Sequence, residues 1–259
     1  MLAIQTQPEL RPAAPAGKLQ VHWAQHQDEL REAQRLRYEV FAQELGARLR
    51  PPPGTPAGHD ADLFDAHCEH LLLRAENPDG SAGPVVACYR LLSAAAARRL
   101  GGMYADSEFD LTRLRHERHR MAEMGRACVH PDYRRGPALL LMWGAIADYL
   151  QRQKLDLLIG CASVDARDGG SRAWTLWNQL AAQHLAPIEW QVRPRDPLHP
   201  APAHAGAVET PPLLRGYLKA NAKLLGAPAW DGEFRCADFP LLLRLADLPS
   251  SYRRRFLAN

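Results

Sequence analysis

The chain has 259 residues, 46% of them hydrophobic and 24% charged. That composition excludes a disordered polymer, and the length is enough to bury a core without disulfide or metal staples. The net charge of +3 is too small to argue for a nucleic-acid partner, and no apolar run approaches the ~20 residues of a membrane span.

Residues 1–17 are rich in Pro and Ala and read as a flexible segment without a secretory signal. Residues 19–23 alternate and predict a strand. Residues 28–45 predict a helix stopped by Gly46. Ala33, Leu36 and Val40 form its apolar face, and Arg37, Phe41 and Leu45 recur along its flank. The proline-rich residues 51–58 exclude regular structure. Residues 70–75 and 85–92 predict two strands joined by an Asn77-Pro78-Asp79-Gly80 turn. The irregular stretch 93–121 carries a short Ala/Arg helix and the basic run 113–120. Residues 122–129 predict a further strand, broken by 131–136. A helix over 138–154 leads to an apolar strand at 156–163, of the kind buried on both faces. A helix at 170–184, a strand at 188–193 and a proline-rich excursion at 194–212 come next. A helix at 213–225, a last strand within 233–245 and a short basic helix at 250–257 complete the chain. No linker divides these elements. The expectation is a single α/β domain over residues 18–259, with a central mixed sheet and helices on both faces.

The five cysteines are odd in number and widely spaced, without a CxxC pair, which fits free thiols in a reducing cytoplasm. The most informative stretch runs from Glu123 to Gly136. Its strand presents the Glu123 carboxylate and the Arg126 guanidinium, and Arg134-Arg135-Gly136 then feeds a helix. Backbone N–H groups at such a turn, with the helix dipole, suit a phosphate; the alternative is an ordinary turn with solvated arginines. In a regular strand Glu123 and Arg126 point to opposite faces, and a bulge near Gly125 would realign them. Arg90 lies within an apolar strand, where a guanidinium requires partners.

The turn resembles the acyl-donor loop of the GNAT acyltransferase superfamily, in which strand, basic turn and helix cradle a pantetheine arm. Here it is shortened to Arg134-Arg135-Gly136-Pro137-Ala138, and Pro137 removes one backbone donor. Further blocks narrow the resemblance: Arg37-Tyr38-Glu39-Val40-Phe41, the run from Asp60 through Asp65 to Leu72, Tyr89-Arg90-Leu91-Leu92, Ser107-Glu108-Phe109-Asp110-Leu111 and Glu123-Met124-Gly125-Arg126. Near the end come Gly226-Ala227-Pro228-Ala229-Trp230-Asp231 and Ala237-Asp238-Phe239. In this order the string is similar to the ornithine N-acyltransferases of ornithine-lipid synthesis, a haemolysin-like group. Its Arg…Phe, Asp…Asp, Arg, Glu…Arg skeleton also resembles acyl-homoserine-lactone synthases.

The resemblance implies a GNAT-like fold and transfer of a (3-hydroxy)acyl group from acyl carrier protein to the α-amine of L-ornithine, giving lyso-ornithine lipid. Acyl-phosphopantetheine is then the co-substrate, with no permanently bound cofactor and no metal. Glu123 is the expected base, directly or through water; a salt bridge to Arg126 or Arg90 is its structural alternative. Asp60 and Asp65 are expected to form an acidic pocket for the substrate's ammonium groups, closed by Arg37 and Phe41, or else to cap the loop. Arg90 and Arg126 complete the substrate-binding set, Arg90 by ordering carboxylates or binding the substrate carboxylate. Arg134, Arg135 and Gly136 are expected at the phosphopantetheine, whose single phosphate suits a turn with one donor fewer. Cys128 is a rival nucleophile, with only His130 nearby to activate it. His59, Asp60, Asp65, His67, Cys68 and His70 lack zinc spacing. Acylation of another amine, lactone synthesis, or carrier-protein binding without turnover are the alternatives in function.

Arg113, Arg115 and Arg118, with Arg120, form a basic loop suited to docking an acidic carrier protein at one end of the acyl cleft. Arg253-Arg254-Arg255 with Tyr252, Phe256 and Leu257 suits peripheral contact with an anionic membrane. A solvated basic face is the alternative reading of both.

Overall fold

The computed structural model describes residues 18–257; the expectation for residues 1–17 lies outside them. Strand β1 (Leu19–Trp23) leads into helix α1 (Gln27–Tyr38). Glu29 folds back over the helix start to accept the N–H groups of Gln25 and His26, which would otherwise be unpaired. The helix widens into a π-turn at Glu39–Glu44, and Gly46 ends it with φ 73°. Strands β2 (Glu69–Glu76) and β3 (Ala82–Leu92) pair antiparallel across the Asn77 turn. Helices α2 (Ala94–Leu100) and α3 (Ala105–Glu108), strand β4 (Phe109–Asp110), strand β5 (Met121–Val129) and helix α4 (Ala138–Arg152) follow. Then come β6 (Leu157–Asp165), α5 (Ser171–His184), β7 (Arg193–Pro194), α6 (Pro212–Lys219), β8 (Lys223–Leu224), β9 (Ala229–Asp231), β10 (Cys236–Arg244) and α7 (Ser250–Phe256).

Residues 188–193 differ from expectation. Ile188–Trp190 is a 3-10 turn, and only Arg193 and Pro194 pair, against β4. Pro187 before the turn and Pro194 within the pair deny this segment the donors a longer ladder needs. The expected helix at 213–225 stops at Lys219, because Asn221 (φ 69°) turns the chain into β8.

The main sheet has the order β1-β2-β3-β5-β6-β10-β8, with β9 also on β10. All its pairings are antiparallel except β5 with β6. Apolar residues of α4, α5 and α6 cover one face together with Leu71, Leu91, Met124 and Phe239. Apolar residues of α1, α2 and α3 cover the other, against Leu72, Leu92, Ile159 and Cys161. The expected mixed sheet with helices on both faces is therefore what forms. No helix among the described residues is long and apolar enough to cross a membrane.

The centre of the sheet is irregular in a way that makes a site. Arg90 pairs with Gly125 and Cys88 with Cys128, so Arg126 and Ala127 of β5 together oppose Tyr89 of β3. Arg126 takes φ 49° at this bulge, a left-handed conformation that a non-glycine residue adopts only when its surroundings hold it there. A bulge bends the strand that carries it. β5 and β6 pair from Met121 opposite Leu157 to Glu123 opposite Ile159; beyond that point residues 124–129 and 160–165 part and open a cleft. At the last close approach, a Cβ on Gly160 would stand 2.7 Å from the Met124 carbonyl oxygen. Gly160→Ala is therefore expected to cost about 1–3 kcal/mol of stability, the range for overpacking, in urea denaturation; an unchanged midpoint would contradict the close approach.

Candidate active site

Three arginines and three aspartates meet under the proline-rich loop. Arg37, 1% exposed, reaches from α1 to grip Asp65 with both terminal nitrogens, at 3.0 and 2.6 Å, and its Nε lies 2.8 Å from Asp60. Arg90, from β3, contacts Asp62 at 2.5 Å and Asp65 at 2.8 Å. Arg126, from the bulge, contacts Asp60 at 3.2 Å and Asp62 at 2.9 Å. Each carboxylate thus lies between two guanidinium groups, and the six formal charges cancel. Gln34 adds a hydrogen bond to Asp65 at 2.9 Å. Burial alone would raise the Asp65 carboxyl, but Arg37, followed by Arg90 and His70, overrides it and holds the group far below the usual carboxylate range.

This arrangement differs from the expected acidic pocket for the substrate. Asp60 and Asp65 are engaged by the protein's own guanidinium groups and leave no anion over for an ammonium. Arg37 locks the loop instead of closing a pocket. Phe41 is fully buried and stands edge-on to Phe234, with ring centres 5.7 Å apart. Arg126 lies between the rings of Phe234, at 5.1 Å, and Tyr104, at 5.5 Å. Phe64 contacts both Tyr104 and Arg90.

Glu123 is held differently. Its two oxygens accept the backbone N–H groups of Tyr104, at 2.7 Å, and Ala105, at 2.6 Å. The salt bridge to Arg90 or Arg126 that would have made it purely structural does not form. Burial pushes its carboxyl up, and the two N–H groups and Arg90 only partly counter that. It lines a small cavity of about 10 Å³, room for about one water, with Arg90, Tyr104, Met124, Gly125 and Cys161. Because of the bulge, Glu123 and Arg126 both contact the Tyr104 segment.

The turn that leads into α4 lies beyond Val129, at the open end of the cleft. Arg134 is bound to Glu44 by two 2.6 Å hydrogen bonds, whereas Arg135 and Gly136 are exposed, and Arg135 has no carboxylate partner among the described residues. The basic loop 113–120 precedes β5 and so lies at its closed end, not at the mouth. Arg118 is ion-paired with Asp106, and Arg113 donates to the carbonyls of Ile188 and Gln191; Arg115 contacts only His116. Cys128 faces Cys88 across 3.5 Å, and burial, then Cys88, pushes its thiol far up, which disfavours the thiolate that a nucleophile needs. Tyr252 and Phe256 of α7 pack inward beside Trp143, Ile146 and Leu150 of α4, leaving Arg253, Arg254 and Arg255 exposed.

A family model described as an acetyltransferase (GNAT) domain matches residues 36–144. An L-ornithine N(alpha)-acyltransferase of Rhodobacter capsulatus is 34% identical over 252 residues, covering 93% of this chain and 95% of that protein. The chain belongs to this acyltransferase family. A member from Agrobacterium fabrum is 32% identical, over 91% of this chain and 84% of that protein. The acyl-homoserine-lactone synthase LasI shares the fold at a TM-score of 0.53 and 12% identity, covering 93% of this chain and 95% of that one. The GNAT-like fold and the acyltransferase class expected from the sequence are both borne out.

In this family member two site residues escape sequence reasoning. Asp62, the third carboxylate, had a signal: three arginines placed in apolar elements need three anions, and Asp60-x-Asp62-x-x-Asp65 supplies them. Tyr104 had none, because it serves Glu123 through its main chain. Asp65→Asn strands charge on Arg37 and Arg90 and is expected to cost about 3–5 kcal/mol in urea denaturation. The depressed Asp65 pKa gives the pH sign: its contribution is complete above the unfolded value of about 3.9 and is lost as pH falls below it toward the folded value. A wild-type stability curve without that acid decline relative to Asp65→Asn would contradict the pairing.

Proposed function

We propose that the chain transfers an acyl group from the phosphopantetheine thioester of an acyl carrier protein to the α-amine of L-ornithine, with Glu123 as the base. One observation carries this reading: a buried carboxylate with a raised pKa, free of any cation partner among the described residues, lines the cavity where β5 and β6 part. The relatives' names supply the amine, and the shared fold is consistent with acyl transfer between a thioester and an amine.

The amine nitrogen attacks the thioester carbonyl carbon and forms the C–N bond. Glu123 takes the N–H proton that must leave, and its raised pKa makes it the stronger base. Loss of the phosphopantetheine thiolate breaks the C–S bond, and the proton passes from Glu123 to the sulfur. Arg126 is buried but keeps Nη1 without a hydrogen-bond partner among the described residues, which suits the substrate α-carboxylate. Glu123→Gln is expected to lower kcat by about 10²–10⁴, read as thiol release from hydroxyacyl carrier protein. Wild-type kcat/KM is expected to rise with pH through a value above the ordinary 4.3 or so of glutamate, because the protonated, inactive form persists to higher pH. Thiol release at the same rate in both proteins would remove Glu123 from the mechanism.

Two features favour the carrier protein over coenzyme A as donor. Pro137 lacks an N–H at the start of α4, and Arg134 is committed to Glu44, so the turn offers Arg135 to one phosphate. We assign the docking of the acidic carrier protein to two exposed residues, Arg135 in the turn that follows β5 and Arg172 in the first turn of α5 that follows β6. The double variant Arg135→Ser/Arg172→Ser is expected to raise KM for the acyl carrier protein several-fold at low salt, with kcat little changed and the loss shrinking as salt rises. Equal use of matched acyl-coenzyme A, or a larger KM effect from Arg113→Ser/Arg115→Ser, would overturn this assignment.

A further inference from the structure

A second group of acids lies on the same face of the sheet as Glu123. Glu108 of α3, Asp238 of β10 and Cys161 of β6 bring an Oε, an Oδ and the sulfur within 4.8 Å of one another. Asp238 is 0% exposed; its Oδ1 accepts from the Cys236 thiol at 3.3 Å, while Oδ2 has no partner among the described residues. Glu108 Oε2 is buried and likewise unpartnered among them. Ser163, 4% exposed, stands directly opposite Asp238 in the β6–β10 register, and its hydroxyl is a third buried oxygen with no partner among the described residues. Residues paired in this way share a face, and Cys161 lies two residues before Ser163 on it. Asp231 of β9 adds a third acid beside Asp238, though two backbone N–H groups, from Glu233 and Phe234, already occupy its Oδ1.

Leaving two carboxylate oxygens and a hydroxyl buried without donors is costly, and three convergent acceptors match the three N–H donors of an alkylammonium. The cluster is also continuous with the base, since Cys161 lines the cavity that Glu123 lines. Helix α3 joins the two: Tyr104 at its start donates to Glu123, and its last residue, Glu108, belongs to the acid group. Four residues of helix advance about 6 Å. The five bonds between the α- and δ-nitrogens of ornithine, each about 1.5 Å, span a similar distance when extended. Burial, then Asp238, pushes the Glu108 carboxyl far up, as expected of two carboxyl groups held close together.

We propose that Glu108, Asp238 and Ser163 form a subsite for the side-chain ammonium of the amino-acid substrate, so that the chain selects a diamino acid. This rests on the ornithine reading of the Glu123 site. Together with Arg126 for the carboxylate and Glu123 for the α-amine, it gives the substrate three points of attachment, and Asp60 and Asp65 have no part in it.

Norvaline has the ornithine skeleton without the δ-amine and is the discriminating probe. The ratio of kcat/KM for ornithine to that for norvaline is measured in wild type, Glu108→Gln and Asp238→Asn with a fixed acyl carrier protein donor, and melting temperatures report folding. A wild-type ratio of at least about 100 is expected, falling at least tenfold in each variant through ornithine KM more than kcat. Ser163→Ala, the mildest change, keeps the test open where a carboxylate variant does not fold, and is expected to lower the ratio several-fold. Ornithine turnover with the same ratio in the folded variants would overturn the subsite and leave the ornithine reading standing. No ornithine turnover in wild type would overturn both. Activity lost to a chelator and restored by zinc, with the ratio unchanged in the variants, would assign these oxygens to a metal and overturn the proposal.

Discussion

Arg37, Arg90 and Arg126 share Asp60, Asp62 and Asp65, with Asp62 alone of the six partly exposed, and the site is assembled around that contact. A guanidinium cannot shed its charge at any ordinary pH, so each buried arginine obliges the chain to bring a carboxylate to it. The three aspartates come from a loop whose prolines and glycines exclude regular structure. It is the electrostatic demand of the arginines, not a backbone ladder, that fixes the loop against α1, β3 and β5. A network with every member paired is rigid, while one with a member missing is worse than no network.

The rigidity reaches Glu123, the carboxylate we propose as the base, through aromatic rings. Arg126 is held between Phe234 and Tyr104, Phe64 rests against Tyr104 and Arg90, and the main chain of Tyr104 and Ala105 holds Glu123. The bulge that puts Arg126 in a left-handed conformation also bends β5 away from β6. One irregularity therefore opens the cleft, turns a guanidinium onto the face that carries Glu123, and leaves that carboxylate buried without an ion-pair partner among the described residues. Burial raises its pKa, which strengthens it as a base.

Much of the fold was legible from the pattern of the chain. The strand-like apolar runs of β2, β3 and β5 and the helical stripe of α4 set most of the sheet and the cover of one face. The run at 188–193 misled because its composition is strand-like while the flanking prolines forbid the ladder. For the site, Glu123, Arg90 and Arg126 stood out because charged residues inside apolar strands need a reason, and the need for a bulge followed from their odd spacing. The use of Asp60 and Asp65 did not follow. A carboxylate in a loop reads the same whether it faces a substrate cation or an arginine three elements away, and only the fold brings Arg37 to Asp65. The same holds for Glu108, Asp238 and Ser163, which are far apart in sequence and meet only through the antiparallel register of β6 and β10 and the short turn of α3.

The central claim is that burial raises the Glu123 carboxyl while Arg90 of the arginine–aspartate network partly counters it, and carbon-13 NMR titration of the Glu123 carboxyl tests it directly. In the wild type its midpoint is expected above the ordinary glutamate value of about 4.3. Asp62, with a side chain 19% exposed, is the least buried of the three aspartates. Asp62→Asn removes an anion from beside Arg90 and Arg126, makes the surroundings more positive, and should lower the midpoint. An ordinary midpoint in the wild type, or no shift in a folded Asp62→Asn protein, would contradict the claim.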